Sequence, residues 1–206
     1  MGYQYVIDNA QTLSMNRVAI VASTQARDGT VRQINRGANY WKIEVTMAPA
    51  RWQDVRQDIS KIEYTRSSAM TDTLTLSSSN YSWLSQYQGN VNLASIGGFY
   101  ASWTKGNTYL TLTTSPTLGS GYKFRAGDLI QLGASRKVYA VAADVAYNSN
   151  TVQLHRPIID DTQTNINLLV GQNVTWTVRC SQFPKWTLTE RNIVAWEGSF
   201  VFVEAL

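Results

Sequence analysis

The stretch "NYWKIEVTM" (39–47) sets the terms for the chain: Trp41, Ile43 and Val45 fall on one side, Lys42, Glu44 and Thr46 on the other. A period of two marks a strand with one face against a core and the other toward water. Comparable runs recur at "YQYVI" (3–7), "RVAIVAST" (17–24), "TYLTLTT" (108–114), "DLIQLG" (128–133) and "VYAVAADV" (138–145), then at "TVQLHRPI" (151–158), "NVTWTVRC" (173–180) and "FVFVEA" (200–205). Val, Ile, Thr, Tyr and Trp fill them, and Gly, Asn, Asp and Pro separate them, as hairpins require. Tight turns are expected at "ARDGT" (26–30) and "YNSNT" (147–151). The fold class that follows is mainly β, a barrel or sandwich, in a single domain spanning 1–206.

One segment departs from period two. After Pro49, "ARWQDVRQDISKIEY" (50–64) places Trp52, Val55, Ile59 and Ile62 at steps of three and four. That spacing predicts one amphipathic helix, its stripe packed on a sheet and its charged residues facing away. A second departure lies at 67–104, where Asp72 is the sole charge among Ser, Thr, Asn and Gln interleaved with large aromatics. Neutral polar residues mixed with aromatics suit a long surface excursion that packs on a partner, since interface centres are depleted in charge. On that argument Tyr81, Trp83, Tyr87, Phe99, Tyr100 and Trp103 are expected to be contact residues.

Charge and chemistry narrow the function classes. The 18 basic and 14 acidic residues give +4, and nine cations precede Thr71 while nine follow it, so no basic tail or stripe marks a nucleic-acid binder. A lone Cys180 excludes an internal disulfide and a multi-cysteine metal site. The start "MGYQYVIDNAQTLSMNR" lacks a basic region followed by an apolar run, so no secretion signal is expected, and the sequons at Asn80 and Asn173 read as incidental. Val6 stands where a myristoylation signal needs Ser or Thr, and no apolar run approaches the ~18 residues of a membrane span. The single histidine, His155, alternates with Val152, Leu154 and Arg156 and is expected on the solvent side of its strand. Adjacent Asp160 and Asp161 point apart and are expected to solvate a loop rather than bind metal. No cofactor and no enzymatic activity are expected.

The segment "FRAGDLIQLGASRKVYAVAADV" (124–145) carries three cations, Arg125, Arg136 and Lys137, with Gly127 and Gly133, and so invites a phosphate-loop reading. Such a loop needs Gly-Lys-Ser/Thr leading into a helix, whereas a strand follows here. Gly127-Asp128 is therefore read as a strand-entry turn and Gly133 as the start of a hairpin connection. Arg136 and Lys137 are placed at its tip, where an acidic neighbour is expected.

The segment "RAGDLIQLGASRKVYAVAADVAYNSNTVQLHRPI" (125–158) resembles a pattern of tail proteins of tailed bacteriophages. The matching residues are Gly127, Asp128, Ile130, Gly133, Val138, Tyr139, Val141, Asp144, Val145, Pro157 and Ile158. "RGANYWKIEVTMAPARWQDVRQDI" (36–59) is similar to that family's strand–Pro–helix segment, and "VAWEGSFVFVEAL" (194–206) to its last strand; together the pieces cover about half the chain in the same order. The resemblance implies a structural virion protein of the tail tube or baseplate, akin to distal-tail and tube-ring proteins. It implies a β-barrel or β-sandwich of the tail-tube type with one flanking helix, a homo-hexameric ring, and other tail or baseplate proteins as partners. DNA would be passing cargo, no membrane would be engaged, and the protein would pass from the host cytoplasm into the virion. Residues 67–104 are longer and more aromatic than the family pattern. A carbohydrate- or receptor-binding β module is the competing expectation, because neutral aromatic platforms suit sugars.

Overall fold

Alternation at 39–47 becomes a strand, Tyr40–Met47, that buries Trp41, Ile43, Val45 and Met47 and leaves the residues between them half-exposed. The computed structural model describes residues 2–19, 21–25, 27, 29–35, 39–133, 135–189 and 191–205. In chain order, α1 (Tyr3–Asp8) leads into β1 (Ala10–Val18), β2 (Val21–Gln25), β3 (Val31–Asn35), β4 (Tyr40–Met47) and β5 (Ala50–Arg51). Then come α2 (Trp52–Ser67), β6 (Asp72–Leu74), 3-10 turns at Ser82–Ser85 and Leu93–Gly98, β7 (Tyr100–Trp103), β8 (Tyr109–Thr114) and β9 (Tyr122–Phe124). β10 (Leu129–Leu132), β11 (Val138–Ala140), β12 (Val145–Ala146), β13 (Thr151–Gln153) and β14 (Gln163–Val170) follow. A 3-10 turn at Gly171–Asn173 precedes β15 (Trp176–Gln182), β16 (Lys185–Leu188), β17 (Ile193–Glu197) and β18 (Phe200–Glu204). The chain is mainly β, as its patterning predicts.

Two antiparallel sheets carry the architecture. The first runs β1-β4-β18-β15-β6, the second β11-β10-β14-β7-β8-β13. The second sheet curls until its outer strands meet. Val141 and Leu154 form an antiparallel bridge, flanked by the His155 N–H donating to Ala140 O at 3.0 Å and the Ala142 N–H donating to Gln153 O at 2.8 Å. Closure removes the free edges that an open sheet would expose. Phe99, Trp103, Leu112, Phe124, Ile130, Tyr139 and Leu168 help fill the barrel.

The hairpin β10–β11 is the shared wall of the two layers. Ile130, Leu132 and Tyr139 face the barrel core, while Leu129, Val138 and Ala140 face the core of the first sheet beside Trp41, Trp176 and Phe202. Every residue of both strands is buried, which is why this segment reads as continuous apolar runs instead of clean alternation. Gln131 is the polar exception. Its amide accepts from the Thr175 N–H at 2.9 Å and donates to the Thr175 and Ser135 carbonyls at 3.0 and 2.6 Å, standing in for a strand neighbour.

The predicted helix forms as α2, burying Val55, Ile59 and Ile62. Val55 and Ile59 pack with Val194 against the three-stranded sheet β16-β17-β5, while Ile62 joins the core of the first sheet. Several readings of the sequence are corrected. Residues 3–7 are helical, not a strand: Tyr3, Val6 and Ile7 bury at helical spacing. A long-range contact fixes this, because the Asp72 carboxylate accepts the N–H groups of Gly2 and Tyr3 at 3.0 and 3.2 Å and so caps the helix start. Residues 67–104 are not a surface excursion. Leu74 and Leu76 enter the first core, and Val91, Ile96, Phe99 and Ala101 enter the barrel. Its apolar side chains thus divide between the two cores and the surface, where Trp83 and Leu93 remain exposed.

The strand expected over 151–158 stops at Gln153, and the chain then turns inward around His155 and Arg156. The tight turn expected at 147–151 forms, the Ser149 N–H donating to Ala146 O at 3.0 Å, but it does not join a hairpin, since β12 pairs with β9 and β13 with β8. By contrast β2 and β3 pair over five residues, Val21↔Asn35 to Gln25↔Val31, around the expected turn at 26–30, where Asp28 lies outside the described residues.

Candidate functional site

Three separate stretches deliver charge or polarity to one point at the junction of the two layers. Arg156 and Glu204 have fully buried side chains and form a two-pronged ion pair, with both guanidinium nitrogens 2.7 Å from the two carboxylate oxygens. Glu204 also accepts the N–H of Trp41 at 3.2 Å and of Val138 at 3.1 Å. Arg156 in turn donates to the carbonyls of Val138, at 3.0 Å, and Asn39. The Trp41 indole N–H reaches the same Val138 carbonyl at 2.8 Å, and the guanidinium lies 4.9 Å from the Tyr139 ring. Strands β4, β11 and β18 and the segment after β13 are thereby knotted together by charge-assisted bonds, the stronger class of hydrogen bond.

His155 sits against the same knot and not in solvent, which corrects its expected placement. Its ring lies 5.6 Å from Trp41 and 6.4 Å from Tyr139. Nδ1 accepts the Ala140 N–H at 2.9 Å, while Nε2 is buried with no hydrogen-bond partner among the described residues. Burial, with Arg156 and Arg17 nearby, lowers its pKa to about 4. At neutral pH it is an uncharged ring holding a strand N–H.

Asp160 and Asp161 do point apart, but Asp160 does not solvate a loop. It accepts from the hydroxyls of Ser135 and Tyr139, both at 2.7 Å, and pins the β10–β11 turn. Asp161 pairs with Lys105 at 2.8 Å on the surface. Burial and the bond to Asp160 hold the Tyr139 hydroxyl well above the usual tyrosine range. Gly127-Asp128 is the strand-entry turn expected: Gly127 has φ 101°, and Asp128 accepts the N–H of Arg125 and of Gln88, each at 2.8 Å. Burial raises the Asp128 pKa. Asp144 closes the same turn through Arg125 and the Ala126 N–H, both at 2.8 Å.

The predicted contact residues divide. Tyr87, Phe99 and Trp103 are core residues of the barrel, a correction: Tyr87 and Phe99 pack their rings 6.1 and 4.6 Å from Phe124, and the Trp103 indole donates to Asp161 O at 2.9 Å. Tyr81 is half-buried and its hydroxyl donates to Gln11 O at 2.6 Å, at the start of β1. Trp83 is 62% exposed and Tyr100 36%. Arg136 is exposed at the β10–β11 turn, while Lys137 leans to 4.0 Å from Asp160 of its own chain.

Cys180 is half-buried, its thiol donating to Gln182 O at 3.2 Å, and burial lifts its pKa to about 11. Among the described residues no group of three His, Cys, Asp or Glu side chains is placed to hold a metal ion, and no helix is long and apolar enough to cross a membrane.

The ion pair is what sequence reasoning missed, and its signal was present. Arg156 shares the parity of Val152 and Leu154, and Glu204 that of Phe200 and Phe202. A charge on the apolar face of a strand predicts a buried partner, because an unpaired charge there is prohibitive. No protein-family model matches the chain, and neither does any curated protein.

Proposed function

We propose that this protein is a structural subunit of a bacteriophage tail or baseplate that assembles with copies of itself into a ring around the DNA channel. The observation that carries the reading is the outer edge of β1. This nine-residue strand pairs with β4 alone among the described strands, its sole charge is Arg17 and it contains no proline. Monomeric proteins blunt such an edge with charge, proline, a bulge or a covering element; here the bulge at Gln11 and the Tyr81 hydroxyl on Gln11 O engage only the first residues of β1, and the stretch from Leu13 to Met15 carries no charge. The opposite edge of the same sheet is covered. Gln4 of α1 pairs its amide with both the N–H and the carbonyl of Thr75, each at 2.9 Å, and Asp72 holds the helix start. Edges this unequal suit a head-to-tail interface, the kind that closes into rings.

Two further features agree. β2 and β3, which lie between β1 and β4 in the chain, pair with each other over five residue pairs, roughly 17 Å at strand rise, a length that can span to a neighbour. The three segments that resemble tail proteins also meet at the Arg156–Glu204 knot, so the likeness falls on the rigid centre.

Native mass spectrometry on the purified chain tests the proposal. A discrete six-fold species is expected, and it should dissociate when Arg17→Pro removes an outward-facing β1 donor, whereas the Ser14 N–H faces β4. A strict monomer at tens of micromolar refutes ring formation. One observation favours a second reading, a sugar- or receptor-binding module. The exposed Trp83 belongs to a turn next to Gly171–Asn173, where a cavity of about 210 Å³ is lined by Gln86, Tyr87, Leu93, Ile96, Gln172 and Asn173. A monomer or trimer that binds neutral oligosaccharides and loses binding in Trp83→Ala supports that module.

A further inference from the structure

Two cavities on the outside of the β10–β11 turn are contiguous, since Ser135 and Asp160 line both. One, of about 360 Å³, offers an apolar wall from Trp103, Leu132 and Ile166. The other, of about 440 Å³, is lined by Arg136, Lys137 and Arg179 together with Thr71 and Ala205. Neither Arg136 nor Arg179 forms an ion pair among the described residues, and the Lys137 ammonium is 4.0 Å from its nearest carboxylate. Between the two halves, Asp160 is held rigid by the Ser135 and Tyr139 hydroxyls.

We propose that this groove docks an extended acidic peptide segment of a partner protein, with a carboxylate against the three cations and an apolar side chain beside the partly exposed Ile166. Charge complementarity selects the occupant. Among the described residues three cations line the basic cavity with Asp160 as its one carboxylate, and Asp161, in the apolar half, is already paired with Lys105, so the basic end attracts negative charge. A nucleic-acid backbone is a poorer match. Asp160 and Asp161 stand in the wall and would repel successive phosphates, and a polyanion has no use for the apolar half. A peptide supplies both chemistries one or two residues apart, and its backbone has polar partners in Gln163 and Thr71. The inference does not rest on ring formation.

Fluorescence anisotropy with the full chain tests it, using a fluorescein-labelled peptide of alternating Glu and Leu and its Gln-for-Glu counterpart. The Glu peptide should bind about tenfold tighter than the Gln peptide, and binding should weaken severalfold between roughly 50 and 300 mM salt. Arg136→Glu combined with Arg179→Glu should abolish it. Both side chains are exposed, and unchanged thermal unfolding will show that the variant folds; the milder Arg136→Gln with Arg179→Gln should give an intermediate loss. Equal affinity for the two peptides, binding undiminished by charge reversal, or no binding at ~1 mM peptide would overturn the proposal. Displacement by equimolar inorganic phosphate, or tighter binding of a single-stranded oligonucleotide, would overturn it too, leaving a simple anion or nucleic-acid site.

Discussion

Replacing Glu204 with Leu removes one half of a pair whose other half is a fully buried guanidinium. Arg156 keeps its bonds to the Val138 and Asn39 carbonyls but loses both contacts to the carboxylate. The N–H groups of Trp41 and Val138 lose their acceptor as well. An uncompensated buried charge costs about 3–5 kcal/mol, a large part of the roughly 5–15 kcal/mol that holds a domain folded. At about 2–4 °C per kcal/mol for a chain of this size, the midpoint should fall by roughly 6–20 °C. Arg156→Met with Glu204→Leu removes both charges and should recover most of that loss, because the desolvation penalty disappears with the pair. Urea unfolding followed by tryptophan fluorescence, applied to the wild type, Arg156→Met, Glu204→Leu and the double variant, gives the coupling by a double-mutant cycle. If Glu204→Leu costs under about 1 kcal/mol, or the double variant is no better than the single ones, the knot is not the strut described here.

Two other outcomes are expected. His155 should make stability fall with acid: the unfolded ring takes a proton near its ordinary pKa of 6.5 while the folded ring resists until about 4. The cost therefore develops between those values, is complete below them, and is absent above pH 6.5. Its full extent is on the order of 3 kcal/mol, and His155→Gln should flatten that part of a stability-against-pH curve measured by chemical denaturation. Gly133 sits at φ 54°, and a Cβ there would lie 2.5 Å from the Ile166 methyl. Gly133→Ala should cost roughly 1–3 kcal/mol in the same assay, whereas Gly127→Ala, with open space around it, should show the smaller cost of its positive φ alone.

Local spacing was enough to specify the β class, the β4 face and the α2 stripe, because period and side-chain polarity act within a few residues and need no knowledge of what lies opposite. The strand-entry turn at Gly127-Asp128 was legible for the same reason. Tertiary structure decided the rest. Residues 3–7 have the composition of a strand, yet Asp72, some seventy residues away, caps them as a helix. The aromatics of 67–104 have the composition of an interface, yet Tyr87 and Phe99 close on Phe124 inside the barrel. Hydrophobic burial is non-directional, so an aromatic side chain specifies that it will be covered and not what will cover it. The ion pair lies between these cases. Parity along β18 and the 151–156 run shows that Glu204 and Arg156 are misplaced for water. Only the folding of two layers onto the β10–β11 wall brings them within 2.7 Å, where each relieves the other's burial.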